Sequence, residues 1–355
     1  MASAEWVLDS SGAFDNDFER LRDKTQGIDF DGCTLFLTGA TGFFGLWLVE
    51  FFDWLRRAKR VDITVYVLTR DPEAVFAHRR VYRERPWLHL TRGDIRTFEP
   101  PRTRIDYILH GAADTSAQAG RSAFELFDVL CGGARHVLDI AANVGCRRVL
   151  LISSGAVYGS VLSSEKIHES RLSAPDTMLP SSAYGEGKRV SEALGTFAAQ
   201  AAPFEVVTAR CFAFVGAGLA LSGHFAIGNF VKNAIENRNV LLNSTGKSQR
   251  SYLYAADLVI WLARLALQGR AGAAYNVGSD QELDIHATAC LVRDVLAPDC
   301  SVSVADNAST VVSYYVPQIE RARSELGLDV WTPIGLAVRR TAEDARRFGP
   351  IRSLD

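Results

Sequence analysis

Apolar positions in this chain fall into short β-rich runs separated by longer helical patterns. The stretch DGCTLFLTGATGFFGLWLVEFFDWLRR passes from an apolar run, Thr34 to Leu37, through a glycine-rich turn into a run of Leu, Phe and Trp. That order predicts a strand, a tight turn and a helix. The helix, Phe44 to about Leu55, is apolar on almost every side, which suits an element packed between a sheet and another layer. Ile63 to Leu68, Ile105 to Leu109, Val149 to Ile152 and Val206 to Ala209 read as further strands, with helical patterns around Phe124 to Ala142 and Ala183 to Ala201. Alternation of this kind predicts βαβ units, hence an α/β fold with a doubly wound parallel sheet covered on both faces. Ligands of such sheets bind beyond the carboxyl ends of the strands. After about Cys211 the alternation fails: a Gly-rich loop, VGAGLALSGHF, leads to a helix near Phe230 to Asn237, and a segment from Asp284 mixes short helices with loops. Residues 30–210 with 251–280 are expected to form the sheet domain, and residues 160–182, 211–250 and 281–350 a smaller lobe over its edge. Residues 1–29 read as an amphipathic leader.

Composition narrows the partners. Of 355 residues, 48% are hydrophobic and 23% charged, and 39 basic against 41 acidic side chains give a net charge of −2. With no long single-sign run, neither nucleic acid nor an anionic membrane is an expected partner. No uncharged apolar stretch approaches the ~20 residues of a membrane span. Residues 1–20 lack the basic and apolar regions of a signal peptide. Six cysteines, at 33, 131, 146, 211, 290 and 300, form no CxxC pair and no cluster with histidine, so no metal site is expected. The expectation is a cytoplasmic protein with buried thiols and a small-molecule partner.

Three groups of residues carry chemistry. Gly39, Gly42 and Gly45 stand in GATGFFG between the first strand and its helix. There the backbone must turn tightly and bring helix N–H groups to a pyrophosphate, so Gly39, Thr41, Gly42, Phe43, Phe44 and Gly45 are the expected dinucleotide cradle. The second strand ends Thr69, Arg70, Asp71. An arginine there suits the 2′-phosphate of NADP, which leans the cofactor, NAD(P), toward the phosphorylated form; Asp71 taking the ribose role by a one-residue shift is the alternative. Tyr184 and Lys188, four apart, share one helix face, downstream of a strand ending in Ser153 and Ser154. A neighbouring ammonium and a cationic nicotinamide would favour the tyrosine anion, making Tyr184 a general base while Ser154 holds a substrate hydroxyl.

These residues, with GDI at Gly93 to Ile95, HGAA at His110 to Ala113, SSGAVYG at Ser153 to Gly159, YGEGK and RSYLYAADL at Arg250 to Leu258, resemble the extended short-chain dehydrogenase/reductase family. The similarity is to its nucleotide-sugar epimerase/dehydratase branch and runs from about Thr34 to the ARSELGL segment. It implies a Rossmann-like sheet domain that binds the dinucleotide, a C-terminal substrate-binding lobe, a nucleotide-sugar substrate and a homodimer. It also implies that Asp94 and Ile95 flank the adenine, Ala112 and Ala113 line the nicotinamide side, Ser154, Tyr184 and Lys188 form the catalytic set, and Arg250 clamps a diphosphate. Asp257 is expected to cap the helix LVIWLARLAL.

Departures from the family bear on the reaction. Dehydratases of the branch carry an Asp-Glu pair before VYG and decarboxylating members keep the Glu; here Gly155 and Ala156 stand there, and neither can transfer a proton. An asparagine that commonly contacts the sugar nucleotide is replaced by Ala213, and the NxxGT motif reads LCGGA at Leu130 to Ala134. His224 and Asn229 are weaker substrate-side candidates, with a solvated loop histidine the plainer reading of the first. The reaction expected is C4 chemistry on a nucleotide-linked hexose, most simply 4-epimerisation. A 4-keto-sugar reductase or 4-dehydrogenase is the nearest rival; a 4,6-dehydratase, an acyl-thioester reductase and a cofactor-binding pseudoenzyme stand further off.

Overall fold

In the computed structural model the described residues are 14–78, 85–113, 122–161, 164–221, 223 and 225–348. The first half contains α1 (Asp15–Arg20), β1 (Cys33–Thr38), α2 (Phe43–Lys59), β2 (Ile63–Thr69), α3 (Pro72–His78), β3 (Leu88–Arg92), β4 (Tyr107–His110), α4 (Ala123–Asn143), β5 (Arg148–Ser154), α5 (Ala183–Ala201) and β6 (Glu205–Cys211). There follow β7 (Phe214–Val215), α6 (Ala226–Ile235), β8 (Val240–Ser244), β9 (Gln249–Arg250), β10 (Leu253–Tyr254), α7 (Ala255–Gln268) and β11 (Ala274–Val277). The chain continues through β12 (Leu283–Asp284), α8 (Ile285–Leu296), β13 (Val302–Ser309), β14 (Tyr314–Tyr315), α9 (Glu320–Leu326) and α10 (Ile334–Phe348).

Seven strands form one sheet in the order β11-β6-β5-β4-β1-β2-β3. Every neighbouring pair in it is parallel. Burial on both faces explains why its strands read as continuous apolar runs, and the sheet is the Rossmann-like one predicted. The order reverses between β1 and β4, so a crevice opens where the chain leaves the sheet in opposite directions, the usual ligand position in such folds. Strands β3 and β11 escaped the sequence pattern because they are short and only β11 is well covered.

Local signals account for the helices that frame the crevice. Ser122 accepts from the Glu125 N–H at 3.1 Å while the Glu125 carboxylate accepts from the Ser122 N–H at 3.0 Å, a reciprocal cap that starts α4. The LCGGA departure has a packing role: Leu130 lies where a Cβ on Gly187 would fall, 2.7 Å away, so α4 and α5 approach closely. Short sheets pair β7 with β10, β8 with β13, and β9 with both β12 and β14.

The segment read as a leader is, from Phe14 on, part of the main apolar core. Phe14, Phe18, Leu21, Ile28 and Phe30 are buried there. Phe14 meets Trp47 of α2 edge-on at 4.6 Å, and Phe18 meets Phe51 at 5.3 Å. Polar contacts carry the same segment across the chain: Tyr254 donates to Asp17 at 2.7 Å, and Arg20 to Thr332 at 2.6 Å. Asp257 is structural, but it is not the cap. Tyr254 occupies the cap position of α7, and the Asp257 carboxylate accepts from the N–H groups of Trp331 and Thr332, both at 2.9 Å, and from the Thr332 hydroxyl at 2.6 Å.

Candidate active site

The glycine-rich turn lies at the carboxyl end of β1, against the end of β4. Gly39 has φ +72, and a Cβ there would fall 2.5 Å from the Gly111 carbonyl, so only glycine closes this turn. At Gly45 a Cβ would meet the Ala40 backbone at 2.0 Å, which fixes how tightly α2 sits on its strand. Gly42 caps α2 and is exposed, with Thr41, Phe43 and Phe44 half-buried around it. The first N–H groups of a helix have no acceptor within it, so this end presents donors and the positive end of a dipole. A cradle that excludes side chains and offers backbone donors fits a dinucleotide pyrophosphate.

The end of β4 is held in place from below. Thr38 accepts from the Ala112 N–H at 3.2 Å and is hydrogen-bonded to His110 Nδ1 at 2.8 Å. Burial, with the charge of Lys188, pushes the pKa of His110 down to about 3, which leaves the ring neutral. Ala112 and Ala113 follow, half-buried at the crevice. On the other flank Arg70 is exposed at the end of β2. Asp94 is gripped by Arg96 at 2.8 Å, and these bonds, assisted by the charge of Arg70, hold its pKa down to about 2. Ile95 is buried against α4, where a Cβ on Gly133 would collide with it at 2.8 Å.

Ser154, Tyr184 and Lys188 converge at the carboxyl end of β5. Ser154 ends the strand and its Oγ accepts from the Ala156 N–H at 3.1 Å. Lys188 is buried and donates to the Ile152 carbonyl at 2.8 Å; its Nζ lies 6.0 Å from the Tyr184 ring centre. Burial pushes Lys188 down to about 8 and Tyr184 up to about 12, the latter opposed by hydrogen bonding to Ser154. The expected lowering of Tyr184 by the ammonium does not prevail in the chain alone, because desolvation of the phenolate outweighs it. Neutral His110 and Glu192, one turn beyond Lys188 on α5, complete the surroundings of the ammonium.

Arg250 reaches the same cluster through Tyr315, whose ring centre lies 5.9 Å from the guanidinium. Its donors go to the carbonyls of Gln249 and Ser313 and to the Ser313 hydroxyl, and among the described residues no carboxylate pairs with it. A part-buried fork without a counter-ion suits phosphate oxygens. Asn229 is engaged otherwise: its amide donates to the Gly223 carbonyl at 2.9 Å. His224 lies outside the described residues. Sequence reasoning missed Tyr315 and Phe212, which pack against each other beside Gly155, and Cys211, near Tyr184. A surface cleft of about 520 Å³ opens at the amino ends of β4, β5 and β6, but its Arg104, Arg147 and Arg148 are paired with Asp106 and Glu205.

Known proteins resemble this chain in sequence and in fold. The chain is 27% identical over 308 residues to the UDP-glucuronic acid decarboxylase 2 of Arabidopsis thaliana, covering 86% of this chain and 66% of that protein. For decarboxylase 4 of the same plant the identity is 27% over 84% of this chain and 64% of that one. The chain thus spans about two thirds of the length of these curated relatives. The UDP-glucose 4-epimerase of Thermotoga maritima, solved with UDP-glucose, superposes with a TM-score of 0.74 at 18% identity, covering 88% of this chain and 99% of that one. The dTDP-glucose 4,6-dehydratase of Streptomyces venezuelae, solved with NAD, gives 0.72 at 24% identity, covering 88% and 97%. The family model described as the NAD dependent epimerase/dehydratase family matches residues 35–278. That span runs from β1, ahead of the glycine cradle, through Ser154, Tyr184, Lys188 and Arg250 to the end of β11, and the chain belongs to this family of enzymes.

Proposed function

We propose that this protein oxidises C4 of a nucleotide-linked hexose and returns the hydride to the opposite face, as a nucleotide-sugar 4-epimerase. The observation that carries this reading is the convergence of Ser154, Tyr184 and Lys188 beside two positions, Gly155 and Ala156, that hold no proton-transferring side chain. Gly39, Gly42, Gly45 and the start of α2 would hold the cofactor's pyrophosphate, with Asp94 and Ile95 near its adenine and Ala112 and Ala113 along its nicotinamide. The bound nicotinamide supplies the hydride acceptor. Ser154 holds the C4 hydroxyl, Tyr184 takes its proton, and the Lys188 ammonium favours the anionic phenol. Arg250 fixes the diphosphate, which leaves the sugar free to turn about its linkage. No second acid or base is needed for that cycle. Arg70, at the end of β2 beside Asp94, favours the 2′-phosphorylated dinucleotide.

A second reading is favoured by the relatives named as UDP-glucuronic acid decarboxylases. A uronic acid oxidised at C4 becomes a β-keto acid, which loses carbon dioxide without a dedicated acid, so the absence of a carboxylate at 156 does not block it. The test is incubation with UDP-glucose, UDP-galactose, dTDP-glucose and UDP-glucuronic acid, each with NAD+ or NADP+, read by NMR and mass spectrometry. The expected product is inverted at C4 and unchanged in mass. Loss of water from a hexose, or of carbon dioxide from the uronic acid without any epimer, overturns the epimerase reading, and the latter supports the second.

A further inference from the structure

Lys188 and Glu192 stand four apart on α5, the spacing at which an ammonium and a carboxylate on one helix face ordinarily pair. Here each is engaged elsewhere. Lys188 donates to the Ile152 carbonyl at 2.8 Å, while Glu192 accepts from the hydroxyl of the next residue of β5, Ser153, at 2.5 Å. What holds the carboxylate is Arg210 of β6, in register with Ser153. Its guanidinium grips Glu192 twice, with Nε at 3.1 Å from both oxygens and a terminal amino group at 2.7 Å.

Arg210 is itself pinned, so it cannot follow the carboxylate toward the lysine. Its other amino group donates to the Tyr158 hydroxyl at 2.9 Å and to the Glu169 carbonyl at 3.1 Å, and Tyr158 donates in turn to Asn276 at 2.8 Å. Asn276 is the register partner of Arg210 on β11. Ser153, Arg210 and Asn276 therefore form one polar row across three strands, a residue short of Ser154. An ionised carboxylate offers about four acceptor sites, and three donors already sit on Glu192. A two-pronged, charge-assisted grip of this kind outcompetes a single ammonium.

We propose that Arg210 is a positioning residue that acts through Glu192: by occupying the carboxylate with its fork, it withholds the counter-ion that would capture Lys188 and leaves the ammonium beside Tyr184. The inference rests on the reading that Lys188 and Tyr184 work together in the reaction. Were Glu192 released, the ammonium would turn along α5 to meet it, away from the phenol whose anion it favours. Lys188 faces the Ile152 carbonyl from β5, the neutral His110 ring from β4, Cys211 from β6, and Tyr184 and Glu192 from its own helix. From α4 the Cys131 thiol lies against the neighbouring Gly187 carbonyl. Of these groups Glu192 alone is a carboxylate.

The test separates the charge of Arg210 from its fork. The chain has six lysines, so in protein labelled on its lysine side chains NMR follows Lys188, identified by loss of its signal in Lys188→Met. Arg210→Met releases Glu192, and the Lys188 titration midpoint should rise by about one pH unit, with turnover of UDP-glucose at neutral pH about tenfold lower. Removing the carboxylate as well, in Arg210→Met combined with Glu192→Gln, should return the midpoint to that of the parent chain and restore most of the turnover. Arg210→Lys keeps the charge and the stem but reaches only one oxygen, and should raise the midpoint by about half as much. This milder variant decides the matter if Arg210→Met does not fold. A midpoint unmoved in Arg210→Lys, or a double variant as impaired as Arg210→Met, overturns the proposal: in the first case charge alone suffices, and in the second the pair only holds strands together. The titration needs no sugar, so failure of the nucleotide-sugar reading appears separately, as a parent chain without turnover whose midpoints still move as expected, which supports the hold of Arg210 on Glu192.

Discussion

Asp257 and Lys188 are both buried charged groups, and the protein treats them in opposite ways. Asp257 accepts three hydrogen bonds from Trp331 and Thr332, and Thr332 in turn accepts from Arg20. Lys188, an ammonium with three donors, has a single acceptor among the described residues, the Ile152 carbonyl. Burial pushes each toward neutrality, Asp257 up to about 6 and Lys188 down to about 8. Both costs are of the same kind, yet only the first is offset within the chain. A buried polar group whose capacity is saturated by its neighbours fastens elements together; one left with spare donors carries a burial cost that the chain itself does not offset.

Breaking each cluster should separate activity from stability. Tyr184→Phe removes one oxygen from the reaction cluster and should lower turnover by ~10²–10⁴-fold. The thermal midpoint and cofactor binding should be nearly those of the parent chain, and retention of more than a tenth of the activity would exclude Tyr184 as the base. Asp257→Ala should do the converse. Stranding two N–H groups and a hydroxyl costs about 2–4 kcal/mol in denaturant unfolding, with turnover per folded molecule unchanged.

The acid dependence sharpens that second case. Because the pKa of Asp257 is raised in the folded protein from 3.8 to about 6, it binds its proton more tightly folded than unfolded. Its contribution is fully present below the unfolded value and is lost as pH rises through the folded one. Asp257→Ala should therefore cost more at about pH 4 than at about pH 8, measured against the parent chain under each condition. An equal cost at both would mean that the carboxylate is not held protonated. The smallest effect expected is that of Arg70→Ala: about tenfold weaker NADP+ binding by fluorescence titration, with NAD+ unaffected, from loss of a charge-assisted contact. Equal losses for the two cofactors would make Arg70 a turn residue.

What the sequence made legible was whatever physics writes locally. The glycine turn, the parallel strands and the Tyr184–Lys188 spacing each arise within one strand–turn–helix unit, and α5 begins and ends at the residues its pattern predicts. Tyr315 was illegible because its strand is two residues long and its meaning comes from Gly155, far away in the chain. Likewise Leu130 reads as a departure from a motif until Gly187 is seen beneath it. Phe14 and Phe18 gave an amphipathic pattern whose apolar side had no visible destination until Trp47 and Phe51 were placed opposite it.

The bond from Arg20 to Thr332 spans 312 residues. At a synthesis rate of roughly 5–20 residues per second, Thr332 emerges roughly 15–60 s after Arg20. Phe14 and Phe18 can meet α2 early, but the fastening to Tyr254 and Thr332 must wait for nearly the whole chain. During that interval α1 is held to α2 by its aromatic contacts, by the Arg57 guanidinium on Asp15 and by the Trp54 indole N–H on Glu19, and its fastening to the later half of the chain comes last.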